Sequence, residues 1–135
     1  MTKSLWHGQL RDGLATMGLS LDEDRQEKLL AFLGLLNKWN RAYNLTAVRD
    51  ERVMVSRQLL DSLSILPWVT TDHLLDVGAG GGLPGIPLAI ALPEKRFTLL
   101  DSNGKKTRFL NQCVLELGLK NVEVVLGRAE DCNPP

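Results

Sequence analysis

The sequence predicts an α/β fold: a parallel sheet with packed helices, preceded by a helical region. Three observations predict it. An apolar run, Leu74 to Val77, ends in the glycine cluster Gly78-Ala79-Gly80-Gly81-Gly82 and enters a segment that opens like a helix with proline. From there onward strand-like and helix-like segments alternate as βαβαβ, one half of a doubly wound sheet. The carboxyl ends of the three predicted strands carry Asp76, Asp101 and Glu130. Three acids so placed are hard to attribute to solvation alone.

In chain order, residues 4 to 17 predict a short helix with Trp6, Leu10, Leu14 and Met17 on one stripe and Gly18 as its stop. Ser20-x-x-Glu23 has the form of a capping box, with Asp22, Glu23 and Asp24 suited to a first helical turn. The helix that follows carries Leu29, Phe32, Leu33, Leu36, Trp39 and Tyr43 at spacings of three and four, a wide core-facing stripe. Asp50 caps a third predicted helix, Glu51 to Leu66, which Pro67 ends; Arg57 and Asp61 are spaced to pair on its surface. Strand one is Leu74 to Val77, with Pro84 or Pro87 in the first turn of the next helix, which ends near Leu92. Strand two is Phe97 to Leu100, and its helix runs from about Lys105 to Leu117, stopped by Gly118. Strand three is Val122 to Leu126. The division expected is a helical region over 1–70 and the sheet region over 71–135.

Composition narrows the function classes. The 135 residues suffice for one domain with a real core, and 44% hydrophobic with 24% charged residues is ordinary for a globular chain. Lys+Arg and Asp+Glu are both 16, so no overall positive field advertises nucleic acid, although a local basic face remains open. Cys113 and Cys132 have no metal-ligand spacing and fit a reduced cytoplasmic compartment. No metal site is expected, and His7 and His73 read as isolated structural or solvent-facing residues. The apolar runs Leu29 to Leu36 and Leu83 to Leu92 are too short for a membrane span.

The glycine turn, as a ligand site, admits two cofactor classes. Gly80-x-Gly82-x-x-Gly85 matches the dinucleotide fingerprint, and Asp101 follows at about the distance of a ribose-binding carboxylate. The second register, Asp76-x-Gly78-x-Gly80-x-Gly82, resembles the first motif of class I S-adenosylmethionine-dependent methyltransferases. Electrostatics favours the second, because Asp76 beside the turn repels a pyrophosphate and attracts a sulfonium or ammonium cation.

A further informative stretch is Lys38-Trp39-Asn40-Arg41-Ala42-Tyr43-Asn44-Leu45-Thr46-Ala47-Val48-Arg49-Asp50. Interleaved basic, amide and aromatic groups suit a single-stranded nucleic-acid surface. Composition alone favours the plainer alternative, a helix end with buried aromatics and solvated cations.

KWNRAYNLTAVRD (38–50), LLDSL (59–63), LLDVGAGGGLPGIPLAI (74–90), TLLDSNGKKTRFL (98–110) and GRAED (127–131) stand in the order found in one family. Over essentially its whole length the chain resembles the ribosomal RNA small-subunit methyltransferase G family, also called glucose-inhibited division protein B. One departure is Gln58, where the family often has histidine.

The resemblance implies the class I Rossmann-like fold and methyl transfer from S-adenosyl-L-methionine to N7 of a guanine in small-subunit (16S) rRNA. The RNA partner would be the 30S ribosomal subunit or its precursor, in the cytoplasm. Gly78, Gly80 and Leu83 would line the cofactor turn and Asp76 would face the methionine ammonium. Asp101 would accept from the ribose hydroxyls, and Ala129 and Glu130 would flank the adenine. Lys105, Lys106 and Arg108 would meet phosphate or form a solvated helix face. Guanine N7 already carries a lone pair, so alignment can suffice and no catalytic residue is assigned. A nicotinamide-dependent oxidoreductase and a non-catalytic RNA-binding module are the alternatives. Class I sheets continue past strand three on the far side of strand one, so strand one is expected to be an unpaired edge here. The chain is accordingly expected to be a portion of a longer enzyme, inactive alone, and self-associating or less stable than the longer chain.

Overall fold

The computed structural model describes residues 2–128. Helix α1 (Thr2–Met17) forms as its spacing demands, burying Trp6, Leu10 and Leu14 on one face. Met17, expected on the same stripe, is instead 36% exposed. It is the last residue of the helix, and the chain turns away at Gly18 with φ of 70°. The Trp6 indole Nε1 donates to the Glu51 carbonyl at 2.8 Å, tying α1 to the loop after the next helix.

Helix α2 (Glu23–Tyr43) buries Leu29, Leu30, Phe32, Leu33 and Leu36. Its cap is Asp22 rather than Ser20: the Asp22 carboxylate accepts from the Arg25 N–H at 2.9 Å. A charged acceptor nearer the helix start outcompetes the hydroxyl two residues earlier. Asn44 closes the helix in the left-handed region, with φ of 51°.

The third predicted helix is replaced by three short windings. A π-helical turn, Val55–Leu60, leads into one α turn, α3 (Asp61–Leu63), and then a 3₁₀ turn, Leu66–Trp68. Pro67 thus sits inside a 3₁₀ turn rather than ending an α-helix. In the π turn the Asp61 N–H reaches back five residues to the Ser56 carbonyl. That winding takes Arg57 and Asp61 out of i,i+4 alignment, and they form no ion pair among the described residues; Asp50 pairs with Arg52 at 2.9 Å instead.

Strands β1 (His73–Val77), β2 (Arg96–Asp101) and β3 (Val122–Leu126) form a parallel sheet in the order β1-β2-β3. Leu75 lies opposite Thr98, and Thr98 opposite Glu123. The crossovers are α4 (Gly85–Ala91) and α5 (Gly104–Leu117). Leu74, Phe97, Leu99, Val122 and Val124 share one face of the sheet and pack into the core with Ile86, Leu88 and Ile90 of α4 and Phe109, Leu110 and Leu117 of α5. The other face presents Leu75 and Val77, 46% and 53% exposed. Among the described residues β1 is an edge strand.

One apolar cluster runs from Trp6 through Leu36 and Met54 to Leu99 and Phe109. Phe109 receives Phe32 and Trp39 from α2, at ring distances of 6.3 and 5.8 Å. Asn121 pins the return to β3, its amide shared among the carbonyls of Ala89, Leu92 and Lys95. No helix among the described residues is long and apolar enough to cross a membrane.

Candidate ligand site at the carboxyl ends of the strands

β1 leaves the sheet at Val77 and turns through Gly78, Gly80 and Gly82, at φ of 72°, 43° and 82°. These left-handed conformations explain the glycines. The turn is tied down by its own amides. Gly78 and Ala79 both donate to the Leu100 carbonyl, at 2.8 and 3.1 Å, and Gly82 donates to the Ala79 carbonyl. Gly80 donates to Asp101 Oδ2 at 2.9 Å.

Asp101 is 8% exposed, and both of its oxygens are in use. Oδ1 accepts from the Asn103 N–H at 2.8 Å, and the Asn103 side chain in turn caps α5 through the Lys105 and Lys106 amides. One carboxylate therefore clamps the glycine turn to the start of α5. Each oxygen keeps a second lone pair for a further donor.

Asp76 occupies the place at the start of α4 that a dinucleotide would need for its phosphate. Its Oδ2 accepts from the Gly85 N–H at 3.2 Å, at the start of α4, while Ile86 donates to the Gly82 carbonyl. The Gly85 N–H at the start of α4 is thus met by an internal anion. Oδ1 makes no hydrogen bond to the described residues and is not sealed from solvent. Burial pushes the Asp76 pKa above its ordinary value, the Gly85 N–H pulls it back, and the charge of Asp101 raises it further. No cation among the described residues forms an ion pair with it. Among the described residues neither Asp76 nor Asp101 forms an ion pair, which makes this end of the sheet a place for a positive group.

A cavity of about 440 Å³ opens here, lined by Val77, Gly78, Leu100, Asp101, Ser102, Gly127 and Arg128. This is the crevice beyond the strand ends where open α/β sheets take ligands. Of the residues assigned to the cofactor from the sequence, Gly78 and Asp101 line it. Asp76 and Gly80 are not part of its lining, though Gly80 is bonded to Asp101, and Leu83 packs against the apolar core. Ala129 and Glu130 lie outside the described residues.

The 38–50 stretch proves largely structural. The Trp39 ring packs against Tyr43 and Phe109, at 5.3 and 5.8 Å, and Trp39 and Tyr43 are both half-buried. Asn40 is buried and accepts from the Thr46 N–H, and Gln58 donates to the Thr46 hydroxyl at 2.7 Å. This network fixes Leu45, whose carbonyl oxygen lies 3.1 Å from where a Cβ on Gly81 would stand. Lys38, Arg41, Arg49, Lys105 and Arg108 are exposed. His7 is not isolated: its Nε2 lies 3.5 Å from Glu27 and 4.0 Å from Glu23 in an exposed cluster. His73 Nε2 meets the Thr98 hydroxyl at 2.8 Å. Cys113 is buried, and burial first, then the charge of Glu116, pushes its thiol up to about 12, which leaves it inert. Cys132 lies outside the described residues.

The roles of Asp76 and Asp101 toward their own backbone were missed in the sequence. Asp101-Ser102-Asn103 does carry a signal, an acid two residues before an amide, the spacing of successive Asx turns.

The family model described as rRNA small subunit methyltransferase G matches residues 25–135. The ribosomal RNA small subunit methyltransferase G of Marinobacter nauticus is 84% identical over 134 residues, 99% of this chain and 63% of that protein. Its counterpart from Ectopseudomonas mendocina is 64% identical over 128 residues, 93% of this chain and 60% of its own length. That of Hahella chejuensis is 59% identical over 126 residues, 93% and 58% respectively. The chain therefore spans about three-fifths of the length of the curated relatives it matches.

Proposed function

The chain belongs to the rRNA small subunit methyltransferase G family, and from that premise we propose that it binds S-adenosyl-L-methionine at the glycine turn for methyl transfer to N7 of a guanine in small-subunit rRNA. One observation carries the choice of cofactor: the Asp76 carboxylate fills the start of α4, and Gly78, Ala79, Gly80 and Gly82 spend their N–H groups inside the chain. A dinucleotide needs those donors for its pyrophosphate. A cationic ligand needs the opposite, an acid with an open oxygen, and Asp76 Oδ1 supplies it.

In this reading Asp76 holds the ammonium group, and Asp101 accepts from the ribose hydroxyls with its remaining lone pairs while keeping the turn in shape. Gly78 lets the ligand approach the backbone, and Ala129 and Glu130 flank the adenine. Once bound, S-adenosylmethionine supplies the activated methyl group. The chain's own work is to hold and orient, because a guanine N7 lone pair needs no general base. The RNA partner is the 30S subunit or its precursor, in the cytoplasm, and the exposed Lys38, Arg41, Arg49 and Lys105 meet its phosphates.

Isothermal titration of the chain with S-adenosylmethionine and with a nicotinamide dinucleotide tests the cofactor. Binding of the first and not the second is expected, and the reverse would return the turn to the dehydrogenase reading. Retardation of a small-subunit rRNA fragment should weaken with salt, and less steeply after the four cations are neutralised. RNA affinity indifferent to S-adenosylmethionine would favour a non-catalytic binding module.

A further inference from the structure

The first turn of α5 contains Lys105 and Lys106 and no acid. Cations at the positive end of a helix are unfavourable, so a second partner is needed to make sense of them. Lys105 points into solvent, but Lys106 is half-buried and lies across the glycine turn. Its Cδ and Nζ are 3.8 and 3.9 Å from the point where a Cβ on Gly80 would stand. The ammonium makes no hydrogen bond or ion pair among the described residues.

The turn gives a reason for a cation there. A ligand with an amino-acid end brings a carboxylate as well as an ammonium, and Asp76 and Asp101 both repel the carboxylate. The turn's backbone offers it little. Gly78, Ala79, Gly80 and Gly82 have spent their N–H groups, and Gly81 is buried beneath Leu36 and Leu45. Lys106, against Gly80 in the turn, supplies the missing positive charge.

We propose that Lys106 binds the carboxylate of the amino-acid end of the cofactor and so makes the turn selective for ligands that keep it. This rests on the S-adenosylmethionine reading above. With Asp76 on the ammonium and Lys106 on the carboxylate, the two charges of the amino-acid end are each met by the opposite charge.

The test compares two ligands by isothermal titration of the chain: S-adenosylhomocysteine, which carries the amino-acid end, and 5′-methylthioadenosine, which lacks it. Lys106→Met should weaken the first about tenfold, the loss of one hydrogen-bonded charge pair, and change the second by less than about twofold. Lys106→Arg should restore most of the loss, and melting curves followed by circular dichroism should match the parent for both variants. Equal losses for both ligands, no loss for either, or the selective loss appearing in Arg128→Met instead would overturn the assignment. A drop in rRNA affinity with both small ligands unaffected would make Lys106 a phosphate contact and overturn it too. If the parent binds neither ligand, the cofactor reading itself falls, and this inference with it.

Discussion

Asp101→Ala removes the acceptor for two backbone N–H groups at once, Gly80 at 2.9 Å and Asn103 at 2.8 Å. Hydrogen bonds to a charged group contribute about 1.5–3 kcal/mol each, so the two set an upper bound near 6 kcal/mol. The bound is not reached, because Asn103 is exposed and its N–H recovers water, whereas the buried Gly80 N–H does not. The expected loss is about 2–4 kcal/mol, against a total of about 5–15 for a domain of ordinary stability. Asp101→Asn keeps one acceptor but turns its amide NH₂ toward the other donor, so roughly half the loss should remain. Urea unfolding followed by far-ultraviolet circular dichroism gives both differences, and hydrogen exchange at Gly80 locates the first. An Asp101→Ala variant within about 0.5 kcal/mol of the parent would refute the clamp, since that is the range of an uninvolved surface position.

Asp76 should show the opposite sign. Its folded-state pKa is raised above 3.8, so the folded chain holds the proton more tightly, and the stability this gives is present below 3.8 and lost as pH rises through the folded value. Asp76→Asn should therefore unfold later than the parent at neutral pH, the gap closing toward pH 3.8, while binding S-adenosylmethionine more weakly; a variant less stable at neutral pH would contradict this. Gly85→Ala puts a Cβ 2.5 Å from Leu99 Cδ2 and 2.7 Å from Asp76 Oδ2, an overpacking cost of about 1–3 kcal/mol. An unchanged melting midpoint would mean that α4 has room to move. The exposed Leu75 and Val77 on edge strand β1 should make the chain associate with concentration, and lysine at both positions should suppress it in sedimentation velocity; identical profiles would clear that face.

What could be read from the sequence follows the range of the interactions. The strands, α5 with its Gly118 stop and the glycine turn depend on neighbours within a few residues, and they appear where the local pattern puts them. The π turn at Val55–Leu60 has no such signature. An α turn and a π turn share the same apolar pattern, and here Leu60 sits against Gly13 of α1, more than forty positions away. The aromatics of the 38–50 stretch were legible in part: helical spacing puts Trp39 and Tyr43 on the core-facing stripe, while the partner Phe109 lies far along the chain. In the site, the types of Asp76 and Asp101 pointed to a polar crevice. That each would first satisfy its own backbone required the path of the turn, which only the tertiary fold supplies.

The contact of Leu45 with Gly81 has a consequence for how the chain opens. The glycine turn has the helical region as one of its walls, with the Leu45 carbonyl and Leu36 Cδ1 3.1 and 3.4 Å from the Cβ position of Gly81. Any fluctuation that frees the turn must therefore lift α2 and the Asn40–Thr46–Gln58 network with it. The turn and α2 then form one cooperative opening unit, and the amides of Gly80 and Leu33 should exchange with deuterium at similar free energies.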